Sequence, residues 1–321
     1  MAPVPKVSLI TPSYNQADFL EQTIQSVLAQ DYPNVEYLII DGGSTDRSVD
    51  IIRSYQEHLA YWISEPDQGQ ADAINKGFAQ AKGDYIGWLN SDDLLYPSAI
   101  SRMVEALQTN PEVDFVYGDV DQGTEGGCIS PYRGAETSFS DMLRTLEVPI
   151  PQQGSLWRRT VNERVGGLDP KWHVVLDREF FLRIAQHGRI RYVPGRLGFF
   201  RHHPESKSMA LQHRWLDELP PLYQTFFRQP GLSAEILSLR QETLGMLYIQ
   251  CAVLALKNRL WSRAVSDIAR ALVTDPLVPG RKGLRRMLMR FIVRRFASRD
   301  EETQDTVAIP SPSAGGSKTP F

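Results

Sequence analysis

Short, unbroken apolar runs in the first 120 residues constrain the fold of this chain more than any other feature. They lie at Val7–Thr11, Tyr37–Asp41, Tyr61–Ile63, Tyr85–Leu89 and Phe115–Tyr117. A strand with one face in water alternates apolar and polar residues, whereas a continuous apolar run is typical of a strand covered on both faces. These runs therefore predict a mostly parallel sheet buried between helices.

Segments with helical periodicity separate the runs. The predicted helices cover Ala17–Gln30, a segment that begins at Ser44–Asp46, Gln70–Ala81, and the residues from Pro97 to Gln108. Alternation of strands and helices predicts an α/β, doubly wound fold. Residues 120–150 have little periodicity, so we expect loops near a ligand site there.

The C-terminal part is predicted to be helical. A helix is expected at Asp177–His187, the pattern from 211 to 273 is mostly helical, and residues 300–321 are rich in Ser, Pro, Gly and Thr. Such a tail is typical of disorder. The predicted units are a main domain at 1–205, a helical extension at 206–280, a basic amphipathic helix at 281–299 and a disordered tail at 300–321.

The charge is unevenly distributed. The net charge is −3, but residues 281–299 carry eight Lys or Arg and no acid, so the rest of the chain is strongly acidic. An acidic body argues against nucleic-acid binding. The basic segment places Leu284, Met287, Leu288 and Phe291 on one helical face. It predicts either binding to an anionic membrane surface or docking on the acidic body.

The cysteine spacing and the length of the longest apolar stretch indicate the cellular compartment. Cys128 and Cys251 are far apart, which predicts neither a disulfide framework nor a zinc site. Residues 1–6 lack a signal-peptide pattern, and no apolar stretch is long enough to predict a transmembrane helix. The sequence thus predicts a cytoplasmic protein, peripheral on the inner membrane face if the basic segment binds lipid.

Polar residues follow three of the predicted strands. Thr11–Asn15 ends the first, Asp41–Asp46 ends the second and Asn90–Asp93 ends the fourth. Ligands of doubly wound sheets bind at the carboxyl ends of strands, so we expect these segments to form one site. Asp92 and Asp93 are adjacent carboxylates, which suit Mg²⁺ or Mn²⁺ completed by phosphate oxygens. The alternative is a solvated turn before the next helix.

Asp41 has two possible roles. Its carboxylate can accept a hydrogen bond from a nucleobase imide, which would weakly favour uracil or thymine. Alternatively, it caps the turn that Gly42 and Gly43 predict.

The combined motifs resemble the signature of family-2 glycosyltransferases of the GT-A fold, of the kind found in cell-surface polysaccharide biosynthesis. In order, they are Thr11–Asn15, Asp41–Asp46, Asp67, Asn75–Gly77 and Leu89–Asp93, and the resemblance covers residues 5–205. It implies a nucleotide-sugar donor, a UDP or dTDP sugar being slightly favoured, and a glycan or lipid-linked acceptor.

The resemblance also implies roles for individual residues on the donor side. Residues that would bind the donor nucleotide are Thr11, Pro12, Tyr14, Asp41, Asp67, Lys76 and Asp92. Those that would hold Mg²⁺ or Mn²⁺ are Asp93, Asp92 and His203, although a surface histidine pair is the alternative for His203. Many members have Asp where this chain has Asn90.

On the acceptor side, Asp177 resembles the family's catalytic base, and Glu179 is the alternative. The start of a helix should keep Asp177 ionised. Gln153, Trp157 and Trp172 are candidate acceptor contacts, although buried core is an equal reading of the tryptophans. The implied reaction is an inverting, metal-dependent hexosyl transfer.

Two other function classes stay open. A nucleotidyltransferase would also use an α/β sheet and a metal, but it usually has a basic loop after the first strand, and residues 11–16 contain no Lys or Arg. A non-catalytic nucleotide-sugar-binding protein would have no need of a base such as Asp177.

Overall fold

The computed structural model describes residues 3–124, 127–207, 211–281 and 283–284 of the 321-residue chain. Its strands are β1 (Val7–Ser13), β2 (Val35–Asp41), β3 (Tyr61–Ser64), β4 (Tyr85–Trp88), β5 (Leu94–Leu95), β6 (Phe115–Thr124), β7 (Gly127–Tyr132), β8 (Ser155–Arg158) and β9 (Ile190–Arg201). Its α-helices are α1 (Leu20–Leu28), α2 (Ser48–Ser54), α3 (Gln70–Gln80), α4 (Ala99–Thr109), α5 (Phe139–Thr145), α6 (Arg159–Val165), α7 (Leu176–His187), α8 (Trp215–Arg228), α9 (Ala234–Lys257) and α10 (Trp261–Thr274).

The strands of the described residues form one mixed sheet in the order β3-β2-β1-β4-β8-β6-β9-β5, with β7 beside β6. Strands β1 to β4 pair in parallel, β8 joins them antiparallel to both β4 and β6, and β6 pairs in parallel with β9. All seven residues of β1 are buried, as expected for a strand covered on both faces. The predicted α/β fold, with its parallel N-terminal half, is confirmed.

The expectation of loops at 120–150 is wrong. Strand β6 continues to Thr124, β7 returns beside it, and α5 follows. Polar residues hid the strand from the sequence pattern. Asp119 and Asp121 are buried in β6, where each accepts a hydrogen bond from a tyrosine hydroxyl, of Tyr192 and Tyr96 respectively.

The predicted helical extension shares the main hydrophobic core. Trp88 of β4 and Phe180 of α7 belong to the same buried cluster as Leu222 and Phe226 of α8 and Leu247 of α9. Helices α9 and α10 pack against each other as a helix–turn–helix pair within the segment predicted to be helical. The extension therefore packs as part of the body that carries the sheet.

No helix within the described ranges is long and apolar enough to cross a membrane. The predicted basic helix and tail fall almost entirely outside the described residues, because only positions 281, 283 and 284 of that region are described. Cys251 is a buried, unpaired thiol, and burial raises its pKa to about 12.

Candidate functional site

The loops after β1 and β2 hold each other at one edge of the sheet. Ser13 pairs with Asp41 at the last position of the two strands. Beyond it, the Asn15 backbone N–H donates to Ser44 Oγ at 2.8 Å, and Asn15 Oδ1 accepts from the Thr45 N–H at 2.8 Å. Asn15 has a φ of 52°, a left-handed conformation that asparagine tolerates. These bonds fix the two loops relative to each other, and together the loops form a rigid frame at this edge of the sheet.

The residues predicted to form a base pocket differ in exposure. Thr11 and Pro12 are buried, and Thr11 Oγ1 lies 3.0 Å from the Tyr37 hydroxyl. Tyr14 is 59% exposed at the rim, where its ring is available to a ligand. The buried Ser13 Oγ has no hydrogen-bond partner among the described residues, so it is a further polar atom that a ligand can satisfy.

Asp41 is occupied by the turn that follows it. Its side chain is fully buried, and Oδ2 accepts from the N–H groups of Gly43 and Ser44 and from Ser64 Oγ, while Oδ1 accepts from Ser44 Oγ. A carboxylate with four such bonds has little capacity left for a base edge. The geometry therefore favours the turn-capping role over base recognition.

Asp67 and Lys76 lie beside this turn. Asp67 Oδ1 accepts from the Gly69 N–H, and a Cβ at Gly42 would lie 2.6 Å from Asp67 Oδ2. Only glycine at position 42 permits this contact without a shift. Lys76 Nζ binds Glu65 at 2.8 Å on the partly exposed side of α3. This ion pair supports the loop after β3 and does not direct the ammonium group towards the candidate ligand site.

Asp93 lies at the centre of a buried polar network. Its Oδ1 accepts from the Arg201 N–H at 3.0 Å, and its Oδ2 accepts from Gln153 Nε2 at 2.8 Å and Asn90 Nδ2 at 3.1 Å. Burial raises the pKa of Asp93 well above its usual range, and the neighbouring Asp92 raises it further. An aspartate at position 90 would bring a third carboxylate, whereas Asn90 supplies a donor.

Asp92 faces a histidine from another part of the chain. His203 Nε2 lies 3.0 Å from Asp92 Oδ2, and the exposed fractions of the two side chains are 9% and 17%. The imidazole ring packs against Phe19 with centroids 4.5 Å apart, and Arg201 Nε donates to the Asp92 carbonyl. The alternative of a surface histidine is therefore wrong for His203.

The Asp92–His203 pair fits a divalent ion that a substrate completes. Mg²⁺ is usually held by one or two carboxylates together with phosphate oxygens, and Mn²⁺ accepts imidazole as well. The described residues contain no group of three or more His, Cys, Asp or Glu side chains placed to enclose an ion. The oxygens of Asp93 are already bound by protein donors, so Asp93 orients the site while Asp92 and His203 face it.

Asp177 lies in the first turn of α7. Its Oδ1 accepts from the Arg178 N–H at 2.7 Å. Burial raises the pKa of Asp177, and this effect outweighs the hydrogen bond and the nearby cations of Arg178 and Lys207. Desolvation, which penalises the charged form, thus opposes the helix start, which favours it.

The helical extension fixes the start of α7. Glu218 of α8 accepts hydrogen bonds through Oε2 from three consecutive backbone N–H groups, those of His173, Val174 and Val175, at 3.0, 2.9 and 3.3 Å. These three residues lead directly into α7, so the carboxylate fixes the backbone at the entry to the helix. The position of Asp177 thus depends on α8.

A chain of side chains links the two acidic centres, and sequence reasoning missed it. Lys207 Nζ donates to Gln70 Oε1 at 2.9 Å, and Gln70 Nε2 donates to Asn90 Oδ1 at 2.8 Å. The ammonium group interacts electrostatically with Asp177, while burial lowers the pKa of Lys207 to about 8. The available signal was a lysine four residues after His203.

The predicted acceptor contacts are mostly structural. Trp157 is fully buried opposite Ile86 and Trp172 is 6% exposed within the main core, so neither presents a ring to an acceptor. Glu179 forms a bidentate ion pair with Arg183, at 2.7 and 2.8 Å. Gln153 is committed to Asp93 as described above. The acceptor roles of these four residues are therefore corrected to packing and support.

A cavity of about 640 Å³ opens beside the frame of the two loops. It is lined by Asn15, Gln16, Ala17, Asp18, Phe19, Thr45, Asp46, Arg47 and Glu205. Its volume lies in the usual range for small-molecule pockets. Phe19 forms part of its wall and also packs on His203, so the cavity adjoins the Asp92–His203 pair.

The sheet order, the flanking helices and the aspartate pair after β4 define the GT-A class of fold. Residues 8–162 match the family model described as glycosyl transferase family 2. An uncharacterized glycosyltransferase of Mycobacterium tuberculosis is 36% identical over 188 residues, which cover 58% of this chain and 71% of that protein. One from Nostoc sp. is 34% identical over 221 residues, covering 64% and 67%. The chain belongs to glycosyltransferase family 2.

Solved structures support the same fold at low sequence identity. Residues 1–349 of Staphylococcus aureus TarS superpose with a TM-score of 0.61 and 16% identity, covering 83% of this chain and 80% of that one. The mannosyltransferase PcManGT from Pyrobaculum calidifontis, in complex with GDP-Man and Mn²⁺, gives a TM-score of 0.60 and 19% identity, covering 85% and 76%.

Proposed function

We propose that this glycosyltransferase moves a hexose from a nucleoside-diphosphate sugar to an acceptor hydroxyl, with inversion at the anomeric carbon. The observation that carries the proposal is the geometry of two acidic centres. Asp92 with His203 offers ligands at the end of β4, and Asp177, with its raised pKa, lies at the start of α7. An inverting transfer needs these two functions and no enzyme nucleophile.

Solved relatives of the fold support a nucleotide-sugar donor. TarS has been solved with UDP-GlcNAc and with UDP, and the Pyrobaculum mannosyltransferase with GDP-Man and Mn²⁺. For this chain we propose a UDP or dTDP sugar. The base would meet the exposed Tyr14 ring and the backbone of the turn that Asp41 holds, rather than the Asp41 carboxylate itself.

Asp92 and His203 would hold Mg²⁺ or Mn²⁺ together with oxygens of the donor diphosphate. A bound ion supplies positive charge that stabilises the leaving diphosphate. Asp93 keeps this arrangement in place, because its three hydrogen bonds join β4, the Gln152–Gly154 turn and β9.

Asp177 accepts the proton of the acceptor hydroxyl as that oxygen bonds to the anomeric carbon and the bond to the diphosphate oxygen breaks. A raised pKa suits this role, because a base works best with a pKa near the working pH. Lys207 faces Asp177 and is tied through Gln70 to Asn90. This link would hold base and donor in register, which lowers the entropic part of the barrier.

We place the reaction in polysaccharide or glycolipid assembly, with a glycan or lipid-linked acceptor. The resemblance to glycosyltransferases of polysaccharide biosynthesis supports this, and both a free glycan and a lipid-linked one present the hydroxyl that Asp177 would deprotonate.

A thermal-shift panel of nucleotide sugars, combined with a donor-hydrolysis assay, tests the proposal. We expect one UDP or dTDP sugar to stabilise the protein in the presence of Mn²⁺, by about 3 kcal/mol at a hundredfold excess over its Kd. EDTA and Asp92→Asn should each abolish the stabilisation and the hydrolysis. Asp50→Asn, at a 76% exposed carboxylate on α2, is the matched control and should change neither.

Two results would overturn the proposal. Release of pyrophosphate from a nucleoside triphosphate and a sugar 1-phosphate would identify a nucleotidyltransferase. Tight binding of a nucleotide sugar without hydrolysis or transfer to any hydroxyl acceptor would identify a non-catalytic binding protein.

A further inference from the structure

Helix α10 presents a bare apolar stripe to solvent. Trp261, Val265, Ile268 and Leu272 follow each other at intervals of four, three and four residues, so they share one side of the helix. Their exposed fractions are 66%, 68%, 41% and 43%. Single exposed apolar residues are common, but a continuous row of this size usually marks an interaction surface.

The stripe is separate from the face by which α10 joins the body. Ala264 and Ala271 are buried on that face, and α9 is the helix packed beside α10. Leu256 and Leu260, in and before the turn between the two helices, are also about two-fifths exposed and extend the apolar row at one end. The two most exposed residues of the row, Trp261 and Val265, thus lie away from the face that packs on α9.

The charges exposed around the stripe are mostly positive, because the exposed acid beside α10, Asp217 of α8, is ion-paired with Arg263. The acids between residues 256 and 284 are Asp267 and Asp275, and both are fully buried in ion pairs with Arg263 and Arg281. Lys257 and Arg259 are exposed in the turn beside Trp261. At the other end, the chain continues into residues 281–299, with eight Lys or Arg and no acid. Within the described residues, the apolar row therefore has exposed basic residues at its Trp261 end.

We propose that the α10 stripe docks on a membrane surface rich in anionic lipid. Trp261, Val265, Ile268 and Leu272 would enter the headgroup region, where tryptophan is favoured at the boundary between water and lipid. Lys257 and Arg259 at the Trp261 end would meet lipid phosphates. Anionic lipid is the occupant that matches the charge. A second copy of the stripe, or the basic residues 285–299 folded back, would bring like charges together.

Co-sedimentation of the full-length protein with vesicles tests this docking. We expect binding to phosphatidylcholine vesicles that contain phosphatidylglycerol and much weaker binding to phosphatidylcholine alone. The neutral double variant Val265→Gln/Ile268→Gln should bind the anionic vesicles at least about tenfold more weakly, because it removes inserted apolar area without changing the charge.

The matched control is Ser262→Gln/Ala269→Gln. Both residues are exposed on α10, roughly a quarter turn away from the stripe. The control should bind vesicles as the unmodified protein does. Trp261 gives a direct readout: its fluorescence should shift to the blue on anionic vesicles, and Trp261→Phe should lose that shift.

Equal vesicle binding by the stripe variant and its control would overturn the proposal. So would a failure of the full-length protein to bind anionic vesicles. A self-association constant that falls in the stripe variant, without vesicle binding, would assign the surface to a second copy instead. Donor hydrolysis measured without vesicles should be unchanged in Val265→Gln/Ile268→Gln, so a failure here is distinguishable from a failure of the proposed sugar transfer.

Discussion

Asp93 is fully buried and Asp177 is half-buried, and burial raises the pKa of both, yet their surroundings differ. Asp93 accepts hydrogen bonds from three donors contributed by distant segments. Asp177 accepts one among the described residues, from the N–H of the next residue. A carboxylate that already accepts three hydrogen bonds from protein donors is suited to support a site, whereas one with more open lone pairs and a raised pKa is suited to take a proton.

The two regions also rely on different parts of the fold. The donors around Asp93 come from the sheet and from the turn before β8, whereas the start of α7 is held by Glu218 of the helical extension. The extension is therefore part of the proposed active site. Each of the following experiments tests one side of this contrast.

The largest effect is expected from Asp177→Asn. The change is nearly isosteric, but the amide cannot accept the acceptor's proton, so kcat should fall by about 10²-fold or more. The donor Kd should change little, because the proposed role of Asp177 is towards the acceptor hydroxyl and not the nucleotide. Steady-state kinetics with a donor titration measures both.

Glu179→Gln is the matched control, since Glu179 lies in the same turn but is paired with Arg183. Its effect on kcat should be much smaller. If Glu179→Gln were inactive and Asp177→Asn active, Glu179 would be the catalytic base and Asp177 would not.

Asp92→Ala should affect ligand binding, whereas Asp93→Ala should affect the stability of the fold. Asp93→Ala leaves three buried donors without an acceptor, so the free energy of unfolding should fall by about 1–3 kcal/mol. Asp92→Ala should alter stability little and abolish Mn²⁺-dependent stabilisation by the donor. Denaturant unfolding with and without donor checks both, and equal stability of the two variants would contradict the supporting role of Asp93.

The pH profile of kcat should reflect Asp177 and Lys207. Asp177 must be ionised to accept a proton, so kcat should rise as the pH climbs through its raised pKa. Lys207 loses its charge above about pH 8, and kcat should fall there. Lys207→Arg keeps the cation, so the alkaline limb should move upward, whereas Lys171→Arg, at an exposed lysine, should not move it. Lys207→Met should lower kcat about tenfold below pH 8, the effect of one lost charged contact.

The same lowered pKa has a consequence for stability. The native state holds the Lys207 proton less tightly than the unfolded chain does, so this residue destabilises the fold when it is charged. The penalty should disappear as the pH rises from about 8 towards the ordinary lysine pKa of about 10.4.

The smallest effect is expected from Glu218→Ala. Loss of the shared acceptor for three N–H groups at the start of α7 should cost about 1–2 kcal/mol, the usual scale for a helix cap. The fall in kcat should be smaller than for Asp177→Asn, because Asp177 stays in place but is less well held. Asp217→Ala, at the adjacent 67% exposed carboxylate, should leave both unchanged.

Sequence patterns alone predicted the strands β1 to β4 and the edge at which their polar ends meet. Both the strands and their polar ends can be predicted because they depend on a local pattern of apolar and polar residues, which is visible within about ten consecutive residues. The family resemblance added His203 and Asp177. The strand β6 beyond Tyr117 was missed, because buried acids paired with tyrosines resemble a polar loop when their partners are unknown.

Only the tertiary structure decided which carboxylates have free oxygens and which tryptophans are buried. Gln153 meets Asp93 across 60 residues of chain, Arg201 meets it across 108, and Lys207 meets Gln70 across 137. No local pattern encodes such pairs, because they arise when separate elements pack. The same holds for α10: its periodicity shows two apolar faces, and the packing of α9 against one of them leaves the other exposed.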